Sequence, residues 1–231
     1  MRESFDIDVV IPTLNAERSM ELALRSLARA RDTGLLDQVI VCDGGSTDRT
    51  VGIAKAWGAR VEAAPQGRGN QLAAGAAITR SPWILFLHAD TCLTEGWEQE
   101  VGRFIAGDGA SGRAAVFSFA LDDPSILARG LEWFVKWRCR LAALPYGDQG
   151  LLISRSLYDD IGGYRAIPLM EDVDMVRRLG SARIVFLDSA ACTSAARYRR
   201  DGYLRRGARN LFCLALYFLG MAPGTIARFY R

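Results

Sequence analysis

The sequence predicts an α/β fold with a mostly parallel central sheet and helices on both faces. Short β-prone apolar runs alternate with helix-spaced segments through the first half, the pattern of strands joined by right-handed crossovers. Two of those runs, residues 38–43 and 83–90, stop at an aspartate. Ligands of open α/β sheets bind beyond the carboxyl ends of the strands, so Asp43 and Asp90 are expected in one cleft.

Residues 7–12 read as a buried strand broken by Pro12, and 16–30 as a helix with Met20, Leu22, Leu24 and Leu27 apolar. A strand at 39–42 follows, then a helix opened by Ser46-Thr47-Asp48, a short strand at 60–63, a helix at 68–79 and a strand at 83–87. The second half is less regular. Residues 114–121 alternate like a strand, 124–144 have helical spacing and carry Trp133 and Trp137, and 150–154, 170–179 and 183–187 read as strand, helix and strand. This mixture predicts antiparallel strands extending the sheet. A basic segment, 197–209, and an apolar run, 211–222, follow.

Half of the 231 residues are apolar, enough for a full core, and no linker or repeat divides the chain. One domain is expected, spanning 1–231. Net charge is +3, and lysine occurs only at Lys55 and Lys136, so the basic residues are almost all arginine, whose planar fork suits phosphate and carboxylate. No nucleic-acid partner is expected. Five scattered cysteines without a Cys-x-x-Cys pair argue against a zinc ribbon or a disulfide framework and for a reducing cytoplasm. Residues 1–8 lack the apolar stretch of a signal peptide, and no run reaches the ~20 apolar residues that span a bilayer.

Asp43-Gly-Gly-Ser-Thr-Asp48 follows a strand and precedes a helix; the glycines permit a tight turn, and a Ser46 cap would leave N–H groups facing an anion. The plain alternative is an ordinary capped turn. His88-Ala89-Asp90 sets the chain's only histidine beside a strand-end carboxylate, half of a divalent-cation site that substrate phosphates would complete. Arg68, in a glycine-rich loop, can reach a phosphate or a base. Glu171 and Asp172 open a helix, where acids complement the dipole; alternatively one is a general base. Gly147-Asp148-Gln149-Gly150 is a polar turn or the wall of a second subsite.

In order and spacing, Val10–Glu17, Asp43–Thr50, Gly67–Gly75, Leu85–Asp90, Gly162-Gly-Tyr164 and Glu171-Asp172 resemble glycosyltransferase family 2, the inverting enzymes with the GT-A fold. More narrowly, His-Ala-Asp-Thr, Gly-Asp-Gln-Gly and the Arg-rich tail look like a bacterial subgroup named for arsenosugar biosynthesis. The resemblance implies a nucleotide-sugar half at 1–120, an acceptor-side half at 121–196 with the antiparallel extension, and a C-terminal helical segment at 197–231. It implies a nucleotide-diphosphate sugar donor, UDP-sugar foremost, and a hydroxyl acceptor, with a lipid-linked one among the candidates. Pro12, Thr13, Asn15, Glu17, Asp43, Gly44, Ser46, Arg68, Gln71, His88, Ala89 and Asp90 would bind the donor. Asp90 would hold Mn²⁺ or Mg²⁺ against the diphosphate. Asp148, Gln149 and Glu171 would face the acceptor or sugar, and Asp172 would be the base.

The first acid of the family's Asp-x-Asp motif is replaced by His88, which as a metal ligand suits Mn²⁺ better than Mg²⁺. That replacement keeps open a non-catalytic nucleotide-sugar-binding protein. A nucleotidyltransferase fits less well, because no Gly-rich, Arg- and Lys-bearing loop follows the first strand. The basic segment and the apolar run, together with the helix around Trp133 and Trp137, read either as core or dimer packing or as contact with the inner face of an anionic membrane.

Overall fold

The computed structural model describes residues 6–142 and 145–230. The N-terminal residues 1–5 of the signal-peptide reading, and residues 143–144 of the predicted helix, lie outside them.

Five strands build the sheet's centre because they are apolar on both faces. In β1 (Ile7–Thr13), all seven residues are buried. Ile7, Val9 and Ile11 face one core and Val10 the other, and β2 (Leu36–Asp43), β4 (Trp83–Phe86), β6 (Ala114–Leu121) and β7 (Leu151–Ser154) split the same way. β3 (Arg60–Ala63), β5 (Thr91–Leu93) and β8 (Ile184–Thr193) complete an eight-stranded sheet in the order β3-β2-β1-β4-β7-β6-β8-β5. β3, β2, β1 and β4 run parallel, as do β6 and β8; β7 is antiparallel to both neighbours and β5 to β8. The predicted parallel half with an antiparallel extension is what forms.

Helices cover both faces. α1 (Met20–Asp32), α2 (Thr50–Ala56) and α4 (Trp97–Ile105) pack Met20, Leu24, Ala54 and Trp97 into one core. On the other face, α3 (Arg68–Ile78), α6 (Arg155–Asp160) and α7 (Glu171–Leu179) contribute Leu72, Leu157, Tyr158 and Met175. α3 lies so close to the sheet that a Cβ on Gly75 would come 2.3 Å from Val10 Cγ1 and 2.7 Å from Cys42 Sγ. α5 (Ile126–Ala142) follows β6, while α8 (Ala196–Asp201), α9 (Tyr203–Phe218) and α10 (Pro223–Tyr230) form the C-terminal segment.

Several boundaries move. Residues 16–19 form a turn rather than helix, and β1 continues through Pro12, which pairs with Cys42. Ser46 does not open α2: that helix starts at Thr50, and it is the Asp48 carboxylate that accepts the Thr50 N–H at 2.9 Å. β5, α4, α6 and the second half of β8 were not foreseen. Cys42, Cys92, Cys192 and Cys213 are free thiols, and no helix of the described residues is long and apolar enough to cross a membrane.

Candidate active site

The two aspartates expected at strand ends differ in place: Asp43 ends β2, whereas β4 stops at Phe86 and Asp90 lies in the loop after it. Asp43 is buried and occupied by its own loop: one oxygen accepts the N–H groups of Gly45 (3.0 Å) and Ser46 (2.9 Å), the other the hydroxyls of Ser46 (2.5 Å) and Thr13 (3.4 Å). This loop is locked to the one after β1. Asn15, in the left-handed region at φ 50, accepts the Thr47 N–H and donates its own N–H to Ser46 Oγ; Glu17 accepts the N–H of Arg49. Gly44 packs against Gln71, whose amide donates to the carbonyls of Thr13 (2.6 Å) and Cys42 (2.8 Å). Gln71, expected on the donor, is therefore 3% exposed and ties β1 to β2. Pro12, Thr13 and Ala89 are likewise buried.

Asp90 stands instead in a deep cleft with Arg68, His88, Asp148 and Asp172. The loop after β4 delivers His88 and Asp90, the turn before β7 Asp148, and the first turns of α3 and α7 Arg68 and Asp172. α7 begins behind Met170, a buried residue at φ 66, a left-handed conformation costly for a side chain of this kind and often found at functional sites. Asp172 Oδ2 accepts the Gly147 N–H at 2.8 Å and Oδ1 the Val173 N–H at 2.7 Å. A Cβ on Gly147 would fall 2.7 Å from His88 Nε2 and 3.6 Å from Asp172 Cβ, so the glycine lets turn, imidazole and carboxylate meet.

Charge on the floor is finely opposed. Asp90 pairs with Arg197 at 3.0 Å. Burial, helped by Arg68 and Arg197, pulls the His88 imidazole down to about 4 against Asp90 and Asp172, so it is neutral at pH 7. Asp148 is pushed up to about 6 by burial, with Asp172 and Asp90 adding to the rise and Arg138 opposing it. Its Oδ1 is buried without a hydrogen-bond partner. Arg138 lies 3.6 Å over the Tyr146 ring.

Two residues expected on the acceptor or sugar side make scaffold contacts. Glu171, 1% exposed, pairs with Arg68 at 2.8 Å, and burial raises its pKa against that pairing. Gln149, 2% exposed, donates to the Phe117 carbonyl and accepts the Tyr146 N–H. Arg138, Tyr146 and Tyr198 also line the cleft and were not singled out as site residues; nothing local marks them, because elements distant in sequence bring them in.

Carboxylates beside a neutral imidazole, one of them with an unsatisfied buried oxygen, are hard donors of the kind a divalent cation takes. Among the described residues no three His, Cys, Asp or Glu side chains converge into a ready ligand shell. The residues fit a cation that a substrate would help to hold.

A family model for glycosyl transferase family 2 matches residues 8–167. The chain belongs to that family. It is 39% identical over 116 residues to the glucosyl-3-phosphoglycerate synthase of Mycobacterium tuberculosis, covering 45% of this chain and 35% of that protein. Over 101 residues it is 34% identical to an uncharacterised glycosyltransferase of Rickettsia bellii, covering 43% of this chain and 33% of that one. The match thus spans about a third of each curated relative's length. A crystal structure of the Mycobacterium tuberculosis synthase superposes with a TM-score of 0.63 at 25% identity, over 94% of this chain and 81% of that one. The same enzyme with Mn²⁺, UDP-glucose and phosphoglyceric acid gives 0.55 at 26% identity, over 80% and 71%. The GT-A expectation holds. Within the family frame the match ends before α7, so Asp172 and the C-terminal helices lie beyond it.

Proposed function

We propose that this chain transfers a sugar from a nucleotide-diphosphate donor, a UDP-sugar foremost, to a hydroxyl acceptor with inversion. The observation that carries this reading is that Asp90, His88, Asp148 and Asp172 line one cleft together with Arg68 and Arg197. The Mn²⁺ and UDP-glucose in the mycobacterial synthase structure support it.

Asp90 would hold Mn²⁺ or Mg²⁺, with neutral His88 beside it and donor phosphates completing the shell. A bound cation would stabilise the charge of the departing nucleotide. Arg68 and Arg197 supply further positive charge at that end of the cleft. Asp172, fixed by the Gly147 and Val173 N–H groups, would take the proton from the attacking hydroxyl, giving a single displacement. The interlocked loops carrying Asn15, Glu17, Asp43, Gly44 and Ser46 would form the nucleotide end, with Asp43 shaping the loop.

Asp172→Asn should reduce transfer by a factor on the order of 10²–10⁴, the usual worth of a general base, while UDP with Mn²⁺ still raises the melting temperature. Equal loss of both would remove Asp172 from this role. His88, standing where the family has an acid, favours a second reading, a non-catalytic nucleotide-sugar-binding protein. Transfer or donor hydrolysis with Mn²⁺ present would dispose of that reading.

A further inference from the structure

Helices normally turn their apolar stripe inward. α5 and α9 also have one turned outward. On α5, the exposed Ile126, Leu127, Trp133, Phe134 and Trp137 follow i, i+1, i+7, i+8, i+11, while Ala128, Val135 and Cys139 are buried on the opposite side. Trp133 and Trp137 meet edge to face at 5.9 Å, and Trp133 is 64% exposed. On α9 the exposed residues are Leu204, Arg205, Ala208, Leu211, Phe212, Ala215 and Phe218, a single stripe with one charge. Phe212 carries it onto α10 by an edge contact with Phe229 at 6.1 Å. The opposite side of α9 packs Cys213 and Leu214 against Leu169, Met170 and Val173, so core packing accounts for only one face.

The charge around these stripes is one-sided. Residues 126–142 and 196–230 carry eleven Arg or Lys against two acids, Glu132 and Asp201, in a chain whose net charge is only +3. Asp201 alone is paired with Arg200, Arg206 and Arg209. Trp, Phe and Leu in a stripe edged by arginines is the composition of helices that lie in a lipid headgroup layer. A second copy of this chain would bring equal positive charge to the same face.

We infer that the α5–α9–α10 face docks on an anionic lipid bilayer. Phe134 and Leu211 belong both to these stripes and to the wall of the cleft, so the cleft opens on the docking side. The docking surface does not depend on the transferase reading.

The test is flotation of the full chain with phosphatidylcholine vesicles and with vesicles of equal parts phosphatidylcholine and phosphatidylglycerol. Wild type should float with the anionic vesicles and several-fold less with the neutral ones. Trp133→Glu combined with Leu204→Glu, at exposed positions outside the cleft lining, should lower partitioning by about tenfold or more. Trp133→Gln with Leu204→Gln serves if the charged pair does not fold, as judged by circular dichroism. Absence of flotation with anionic vesicles overturns the proposal, and so does unchanged flotation of a folded double variant. A wild-type dimer that the double variant splits, without vesicle binding, would give the face to a second copy and also overturn it. Stabilisation by UDP with Mn²⁺, measured on the same samples, tests the transferase reading separately.

Discussion

Arg197 holds Asp90 in a 3.0 Å ion pair at the floor of the cleft, occupying the carboxylate proposed to take the cation. Arg197 is about half exposed while Asp90 is mostly covered, so the arginine is free to leave and the acid is not. A cation and Arg197 would therefore compete for one oxygen. Arg197→Ala should tighten Mn²⁺ binding to the nucleotide-free protein by roughly fivefold, the equivalent of about 1 kcal/mol for a half-exposed pair. The same change should weaken UDP binding by removing a positive charge from the phosphate end. Titration calorimetry with Mn²⁺ alone and then with UDP checks both; unchanged Mn²⁺ affinity would contradict the competition.

Asp148 gives the fold a pH dependence of known sign. Its carboxyl is held at about 6, above the ordinary carboxylate range, chiefly because burial penalises the charged form. The folded state therefore binds a proton more tightly than the unfolded chain. Its stability contribution is fully present below the ordinary pKa, near 4, and is lost as pH rises through 6. Asp148→Asn should remove that slope and stabilise the protein at pH 7 by about 1–2 kcal/mol, or roughly 2–6 °C in melting temperature for a chain of this size. Melts of both proteins between pH 5 and pH 7.5 decide it: wild type should gain on acidification relative to the variant.

The central strands were legible because burial on both faces leaves continuous apolar runs such as Val9-Val10-Ile11 and Val39-Ile40-Val41. β5 has only three residues, and β8 crosses Asp188 and Ser189 half-way, so β5 and the second half of β8 give no readable run. In the site, Asp90 and Asp172 line one cleft, and the motif spacing singles out both, one in the loop after β4 and one in the first turn of α7. Asp43 ends β2 as expected, and its carboxylate also accepts hydrogen bonds from the two-glycine and serine loop that follows, contacts that only the folded turn reveals. Arg197 and Arg138 arrive from helices beyond β8 and β6, a tertiary placement that no local pattern encodes.

Gly147 is the residue through which the turn before β7 controls the proposed chemistry. A methyl there would lie 2.7 Å from His88 Nε2, the far end of a side chain that can swing. The fold should tolerate Gly147→Ala within about 1 kcal/mol, whereas His88 would be displaced and the Gly147 hydrogen bond to Asp172 disturbed. Transfer should fall about tenfold or more, since small misplacements of reacting groups are costly. Urea unfolding beside steady-state kinetics separates the two effects, and a kinetically normal variant would show that the imidazole's position is unimportant.

Gly75 offers the opposite partition, because its neighbours cannot move. The positions 2.3 Å from Val10 Cγ1 and 2.7 Å from Cys42 Sγ lie in the core between α3 and the sheet, where Val10 and Cys42 are fully buried. Gly75→Ala must push α3 off β1 and β2, and overpacking of this kind costs about 1–3 kcal/mol. Ala's better helix propensity returns only about 1 kcal/mol at most. α3 also carries Arg68 at its first residue and the Gln71 latch between Thr13 and Cys42, so the shift should reach the cleft. The urea midpoint should drop with an unchanged slope, and UDP affinity should weaken alongside it. A variant as stable as wild type would mean that α3 sits further from the sheet than these contacts place it.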